Sequence, residues 1–174
     1  MTEFTKYIRD VPDFPEPGVV FKDITPLLSH GDVFRQAVTA MSAPFDDHAV
    51  DVVVGIEARG FIFAAPIAHR FKAGFVPVRK PGKLPWRVNG QEYALEYGTD
   101  RLEAHSDAIQ SGHRVLLVDD VLATGGTGAA AVDLIREMGG DVVGFAVLIE
   151  LDFLGGRAKL DDVHVHTVVH YGGD

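Results

Sequence analysis

The sequence contains no cysteine, which excludes a disulfide framework and a thiolate metal site. The same absence favours a reducing compartment, so we expect a cytoplasmic protein. No apolar run approaches the ~18 residues that a membrane-spanning helix needs. The first ten residues, MTEFTKYIRD, include acids and lack the apolar region of a secretory signal. We therefore expect no association with a membrane.

Basic residues are scarce as well. The chain has 16 Lys and Arg against 25 Asp and Glu, which gives a formal net charge of −9 at pH 7. Because Lys and Arg contacts to phosphates supply most of the affinity for nucleic acids, this balance argues against a nucleic-acid partner. A hydrophobic fraction of 47% in 174 residues is enough for one domain with a real core. We predict a single domain spanning residues 1–174.

Apolar runs alternate with helical patterns along the chain. Buried strands are predicted at residues 51–56, 75–78, 114–120 and 141–150, because each run is short, continuous and rich in β-branched residues. Helices are predicted at residues 31–41 and from Thr127 to the glycine pair Gly139-Gly140. This order predicts an α/β fold, a mainly parallel twisted sheet flanked by helices.

Two segments do not follow this alternation. Residues 10–28 contain four prolines, and we expect no regular helix there. Residues 79–105 are long, polar and interrupted by Pro and Gly, and their later part alternates as a hairpin does. Long irregular segments in compact domains are commonly functional. We expect an N-terminal hood at about residues 1–30 and a flexible lid loop at about residues 80–105, both over the carboxyl ends of the strands.

One stretch, VLLVDDVLATGGTG at residues 115–128, carries the strongest chemical signal. It places Asp119 and Asp120 just before a glycine-rich turn that leads into a helix. No P-loop motif is present. A dinucleotide fingerprint is a possible alternative, because residues 126–131 fit G-x-G-x-x-A and Glu150 follows 24 residues after Gly126. Two carboxylates beside the turn would repel a pyrophosphate, which counts against that alternative.

A phosphorylated sugar suits both features of this stretch. Backbone N–H groups of the turn Ala123–Thr127, at the positive end of a helix, can hold one phosphate. The neighbouring carboxylates can accept hydrogen bonds from sugar hydroxyls and favour a nearby Mg²⁺. The bland alternative is a solvated strand end followed by an ordinary turn.

These residues resemble the type I phosphoribosyltransferases. VLLVDDVLATGGT is similar to the sugar-diphosphate signature of that family, which is shared by many of its members. Four further segments resemble, in the same order, the branch that acts on adenine: VPDFPEPGVVFKDITPLL, GIEARGF, VRKPGKLP and YALEYGTDRLEAH. The similarity covers roughly residues 7–152. It implies a Mg²⁺-dependent reaction of adenine with 5-phospho-α-D-ribose 1-diphosphate (PRPP) that gives AMP and pyrophosphate.

The resemblance also implies a role for each matching residue. PRPP and AMP would be bound by the signature residues Asp119, Asp120, Ala123, Thr124, Gly125, Gly126 and Thr127. Pyrophosphate would be bound by the basic residues Arg59, Arg79, Lys80 and Lys83, and Mg²⁺ mainly through the substrate. The family turn before Arg59 has an unusual peptide geometry, expected here at Ala58-Arg59. Glu57 and Ala58 vary the loop before Arg59 without changing the charge of Arg59, and a solvated surface run is the alternative for the basic cluster.

For adenine, the resemblance implies that Phe21 stacks on the purine while backbone groups of Val20 and Lys22 face its polar edge. Plain core packing is the alternative for this segment. Glu96, in the sequence LEYG, is the expected catalytic carboxylate, able to face an oxocarbenium-like centre or to manage a purine proton. An exposed hairpin acid is its alternative reading.

Other functions remain open at this stage. A 6-oxopurine phosphoribosyltransferase and a non-catalytic PRPP-sensing regulator share the same signature. The resemblance further implies a homodimer, with GFIFAAPI at residues 60–67 as a plausible contact. His164, His166 and His170 fall on one face of a C-terminal strand pattern, and we expect a solvated face and no metal there.

Overall fold

A computed structural model of the protein describes residues 3–94 and 99–172. Its internal contacts group into two compact units, Met1–Ala40 and Met41–Asp174. The predicted hood falls within the first unit. The prediction of a single domain over residues 1–174 stays a prediction. No helix in the described part of the chain is long and apolar enough to cross a membrane.

The first unit contains a small hairpin and a short helix. Strands β1 (Arg9–Pro12) and β2 (Val20–Asp23) pair antiparallel, with Asp10 opposite Lys22. Helix α1 (Thr25–Ser29) follows directly and has a proline in its first turn. The expectation of no regular helix in residues 10–28 is therefore wrong at its end, because a proline in the first turn of a helix removes no intrahelical hydrogen bond. Helix α2 (Gly31–Ser42) comes next.

The second unit is built on a five-stranded parallel sheet. Its strands are β3 (Val52–Ile56), β4 (Gly74–Val78), β7 (Arg114–Leu122), β8 (Asp141–Leu151) and β9 (Val165–Tyr171). Their spatial order is β4-β3-β7-β8-β9, and every neighbouring pair is parallel. The predicted parallel α/β sheet is thus confirmed. All five residues of β3 are buried, as expected for a continuous apolar run inside a parallel sheet.

Helices connect the strands of this sheet. Helix α3 (Gly60–Phe71) joins β3 to β4, and helix α4 (Gly126–Glu137) joins β7 to β8. The core cluster contains apolar side chains of β3, β7, β8 and α4, among them Ile56, Leu117 and Ile135, which are at most 2% exposed. After β3 the chain moves outward to β4 on one side, whereas β7 lies on the other side. The carboxyl ends of β3 and β7 therefore form a topological switch point, where ligands of open α/β sheets bind.

The predicted lid segment contains the expected hairpin. Strands β5 (Val88–Ala94) and β6 (Thr99–His105) pair antiparallel, with Tyr93 opposite Asp100. Leu102 and Ala104 on β6 are fully buried, and the bridge between Arg79 and Glu103 ties this hairpin to the end of β4. One face of the hairpin therefore belongs to the core of the second unit.

Candidate active site

A cavity of about 380 Å³ opens at the switch point between β3 and β7. It is lined by residues that follow β3, by the carboxyl end of β7, by the loop before α4, and by Lys80; these are Ile56, Glu57, Ala58, Arg59, Lys80, Asp119, Asp120, Val121, Ala123 and Thr127. Six residues predicted for the sugar phosphate and for pyrophosphate are among them: Arg59, Lys80, Asp119, Asp120, Ala123 and Thr127. The structure thus brings separate sequence motifs to one site.

The glycine-rich loop lies between the end of β7 at Leu122 and the start of α4 at Gly126. Gly125 adopts a left-handed conformation with φ of 77°, which a residue with a side chain rarely adopts. A second cavity, of about 90 Å³, is lined by residues of this loop, including Thr124, Gly125 and Thr127. A small cavity at the N-terminus of a helix is the geometry that suits one phosphate group.

The two adjacent carboxylates lie within β7, two residues before its end. Asp120 is buried, and its Oδ2 lies 2.8 Å from Nε of Arg59. The Oδ1 of Asp119 accepts a hydrogen bond of 2.9 Å from the backbone N–H of Asp120. Helix α3 begins close by: a Cβ on Gly60 would lie 2.9 Å from Oδ1 of Asp119, so only glycine permits this approach.

Burial makes these carboxylates costly to ionise. Burial, and then the charge of Asp120, raises the pKa of Asp119 well above its usual range. Burial also raises the pKa of Asp120, although the neighbouring Arg59 guanidinium opposes that change. Two close, buried acids of this kind are suited to a ligand that brings hydroxyl donors.

The turn that carries Arg59 contains a non-proline cis peptide bond. It joins Glu57 to Ala58. The unusual peptide was expected one residue later, at Ala58-Arg59, so that position is wrong. Arg59 itself lines the cavity as expected, and its partner there is Asp120.

Glu57 organises the basic segment that follows β4. Its Oε1 accepts hydrogen bonds from Nη2 of Arg79 and Nζ of Lys83, both at 2.9 Å. Its Oε2 accepts the backbone N–H of Lys80 at 3.0 Å. The Arg79 guanidinium, followed by Lys83, lowers the pKa of Glu57 to about 2 despite its burial. Local sequence does not show this role of Glu57, because the neighbouring strands β3 and β4 bring it beside Arg79, which is 22 residues away along the chain.

Lys80 differs from the other two basic side chains, because it lines the cavity. Its Nζ donates to the hydroxyl of Tyr93 at 2.8 Å and forms an ion pair with Asp100. The same hydroxyl donates to Asp100 at 3.0 Å and accepts from Oγ1 of Thr127 at 3.4 Å. The hairpin therefore connects Lys80, which is predicted to bind pyrophosphate, with Thr127 of the glycine-rich loop. Tyr93 and Asp100 were missed as site residues because their partners are distant in sequence.

The segment predicted to bind the base lies in the first unit. Val20 is 47% exposed, and the ring of Phe21 packs edge-on against Phe14 at 5.2 Å between centroids. The side chain of Lys22 donates to Asp10 at 2.7 Å. The three residues lie on strand β2, which gives their backbone groups an extended geometry. Glu96, the expected catalytic residue, lies outside the described residues.

Carboxylates and one histidine meet at the ends of β8 and β9. One ligand atom each from Glu150, Asp152 and His170 lie within 4.8 Å of one another. Sequence analysis did not predict this proximity, because the acids lie at or just after the end of β8 whereas the histidine lies on β9. The Glu150 carboxylate already accepts hydrogen bonds from Arg157 and from Thr167, and the Arg157 guanidinium balances its charge.

Comparison with known proteins gives one consistent family. The phosphoribosyl transferase domain family matches residues 28–169. An adenine phosphoribosyltransferase of Thermobifida fusca is 60% identical over 167 residues, which are 96% of this chain and 95% of that protein. The crystal structure of adenine phosphoribosyltransferase from Rhodothermus marinus is 54% identical, with a TM-score of 0.94, over 97% of this chain and 96% of that one. The enzyme of Saccharomyces cerevisiae, crystallised with adenine and an iminoaltritol bisphosphate, is 37% identical, with a TM-score of 0.90, over 95% of this chain and 96% of that one.

Proposed function

The chain belongs to the adenine phosphoribosyltransferases, within the phosphoribosyl transferase domain family, and we propose that it joins adenine to PRPP, giving AMP and pyrophosphate. One observation carries this proposal: the cavity at the switch point joins a phosphate loop, two adjacent carboxylates and two cations. These groups match the 5′-phosphate, the ribose hydroxyls and the diphosphate of a single substrate. The reaction is a step of purine salvage.

The signature residues hold the ribose phosphate. Backbone N–H groups of Ala123, Thr124, Gly125, Gly126 and Thr127 bind the 5′-phosphate at the start of α4. Asp119 and Asp120 accept hydrogen bonds from the 2′- and 3′-hydroxyls, and these contacts offset the cost of keeping two buried acids ionised.

Pyrophosphate leaves toward the basic groups of the cavity. Arg59 and Lys80 line the cavity and so stabilise the charge that develops on the leaving group. Arg79 and Lys83 lie beside them, paired with Glu57, and add positive potential. Asp119 and Asp120 would be the nearby carboxylates for a Mg²⁺ held mainly through the substrate, and the ion would supply positive charge to the diphosphate.

Adenine is recognised by strand β2. Phe21 stacks on the purine, while a backbone N–H and a backbone C=O at Val20 and Lys22 face N1 and the 6-amino group. A 6-oxo purine would oppose its carbonyl to a carbonyl, and a site of this kind discriminates strongly because the wrong base leaves polar groups unpaired. We expect hypoxanthine to be a far poorer substrate than adenine.

Glu96 supplies negative charge or takes up a proton as the glycosidic bond forms. An interaction made only in the transition state changes kcat and leaves affinity for the ground state nearly untouched. Glu96→Gln should therefore lower kcat by ~10²-fold or more while the calorimetric Kd of adenine moves less than about threefold. A collapse of adenine affinity with unchanged kcat would assign Glu96 to binding.

The proposal also covers the assembly and the location of the protein, which the family resemblance supports. A homodimer with a contact along Gly60–Ile67 is the expected form, and Ile62 on that helix is 38% exposed. Light scattering that gave the mass of a monomer would overturn it. A cytoplasmic location and a single functional domain with hood and lid complete the proposal.

Turnover of labelled adenine is the decisive experiment. The wild-type protein with PRPP and Mg²⁺ should convert labelled adenine to AMP, and unlabelled hypoxanthine in tenfold excess should not compete. Competition by hypoxanthine would favour a 6-oxopurine enzyme. Binding of PRPP without turnover of any base would favour a regulator, which the net charge of −9 already disfavours as a nucleic-acid binder.

A further inference from the structure

Two glycines from distant parts of the second unit touch through their backbones. Gly125 belongs to the phosphate loop, and Gly156 belongs to the turn between β8 and β9. A Cβ on Gly125 would lie 2.1 Å from the carbonyl oxygen of Gly156. A Cβ on Gly156 would lie 2.1 Å from the carbonyl oxygen of Ala123 and 2.7 Å from the backbone nitrogen of Gly125. Neither position has room for any side chain.

The turn that carries Gly156 is itself anchored to the sheet. Arg157 donates from Nε to Glu150 at 3.0 Å and from Nη1 to the carbonyl oxygen of Val165 at 2.9 Å. Its Nη2 donates to Oγ1 of Thr167 at 3.0 Å. One guanidinium thus ties the turn to β8 and β9, and the pairing with Glu150 raises the pKa of Arg157.

We propose that Gly156, anchored through Arg157, is a positioning residue for the 5′-phosphate loop. The loop before α4 has few side chains and is proposed to bind its ligand through backbone N–H groups. Its conformation therefore depends on the backbone that packs against it. The backbone of Gly156 is that support. This assignment rests on the proposed function, and it gives Gly156 and its anchor Arg157 a role in binding the sugar phosphate.

A matched pair of variants separates this role from general stability. Gly156→Ala places a methyl group against the loop. Gly155→Asn changes the neighbouring glycine, where φ is 62° and a Cβ would meet nothing within 4 Å. Asn tolerates the left-handed conformation better than most residues, so this variant alters the same turn without pushing on the loop.

Binding of two probes gives a readout that structural damage would not produce. Ribose 5-phosphate reports on the phosphate loop, and inorganic pyrophosphate with Mg²⁺ reports on the basic residues of the cavity. For Gly156→Ala we expect the Kd of ribose 5-phosphate to rise at least tenfold, because a displacement near 1 Å at a binding group can cost ~10²-fold. We expect the Kd of pyrophosphate to stay within about twofold, and Gly155→Asn to match wild type for both probes.

A second variant keeps the test decisive if Gly156→Ala does not fold. Arg157→Lys keeps the charge beside Glu150 but loses the forked hydrogen bonds. It should raise the Kd of ribose 5-phosphate by about threefold to tenfold and leave the Kd of pyrophosphate nearly unchanged. Unchanged ribose 5-phosphate affinity in a folded variant, or equal weakening of both probes, overturns the proposal. Failure of wild type to turn over adenine, with ribose 5-phosphate still bound and the variants behaving as expected, would instead overturn only the proposed function.

Discussion

Asp119 illustrates how a binding site can oppose stability at the level of one residue. Its folded-state pKa lies well above the value of about 3.9 in an unfolded chain. The neutral form is therefore favoured by folding, and the stability associated with it is lost as pH rises through the unfolded value toward the folded one. At neutral pH, above the unfolded pKa, burial of Asp119 therefore lowers the stability of the fold.

Asp119→Asn should therefore separate stability from activity. We expect a higher melting temperature than wild type at pH 7, because the amide keeps the acceptor for the Asp120 N–H and avoids the cost of burying a group that is ionised in the unfolded chain. The gain should shrink at pH 3, where wild-type Asp119 is neutral. Differential scanning calorimetry at both pH values measures this, and equal melting temperatures at pH 7 would contradict the cause given for the pKa shift.

The double variant Asp119→Asn with Asp120→Asn addresses the sugar directly. Each lost hydrogen bond to a charged group costs ~1.5–3 kcal/mol, so kcat/KM for PRPP should fall at least about a hundredfold. Circular dichroism should show an intact fold. Near-normal kinetics would remove both residues from the ribose site.

Glu57 allows a second pH test, because its contribution to stability changes with pH in the direction opposite to that of Asp119. Its folded pKa of about 2 lies below the unfolded value of about 4.3. Its contribution to stability is fully present above the unfolded value and is lost as pH falls through about 2. The melting temperature of wild type should exceed that of Glu57→Gln at pH 7, and the difference should close between pH values of about 4.3 and about 2.

Glu92→Gln is a matched control for this experiment, because the Glu92 carboxylate is 71% exposed and lies 3.8 Å from Arg101. Exposed pairs of this kind contribute little. A gap between wild type and Glu57→Gln that did not change with pH would show that the ion pairs with Arg79 and Lys83 do not stabilise the fold.

At the level of elements, the hairpin β5–β6 is tied to the site by one hydroxyl group. The Tyr93 hydroxyl accepts hydrogen bonds from Lys80 and Thr127 and donates one to Asp100, so three side chains meet at this one oxygen. The ring itself packs against the core cluster. Packing and hydrogen bonding can therefore be separated by removing the oxygen alone.

Tyr93→Phe should raise the KM for PRPP and leave the KM for adenine within about twofold. The lost hydrogen bonds to charged partners, worth ~1.5–3 kcal/mol, correspond to about a tenfold to hundredfold loss in kcat/KM for PRPP. Tyr7→Phe serves as the control, because the Tyr7 ring packs on His30 in the first unit. Steady-state kinetics with each substrate varied in turn decide the outcome, and equal effects on both substrates would contradict a local role.

At the level of the whole molecule, binding of PRPP should raise the melting temperature, and most of this rise should require Mg²⁺. A ligand at 100 times its Kd adds ~2.7 kcal/mol, which corresponds to a rise of about 5–11 °C in Tm for a protein of this size. Thermal melts with PRPP should show this rise with Mg²⁺ and less than half of it with a chelator. A rise that is independent of the chelator would argue against binding of the metal through the substrate.

The sequence alone determined the fold class and the position of the glycine-rich loop. Continuous apolar runs such as 51–56 and 114–120 predict buried parallel strands, because such strands are covered on both faces. The turn Ala123–Thr127 and the carboxylates before it are contiguous, so their chemistry can be read locally. The pairing of β5 with β6 followed from the alternation of residues along this segment.

The tertiary structure decided which separate segments meet. The strand order β4-β3-β7 places Glu57 beside Arg79 and Lys83, which local sequence could not show. It also sets Gly156 against Gly125, a contact that depends on two backbones and on no side-chain pattern. Contacts of this kind depend on the order of the strands in the sheet. Local sequence patterns predict each strand but not the order in which the strands pair.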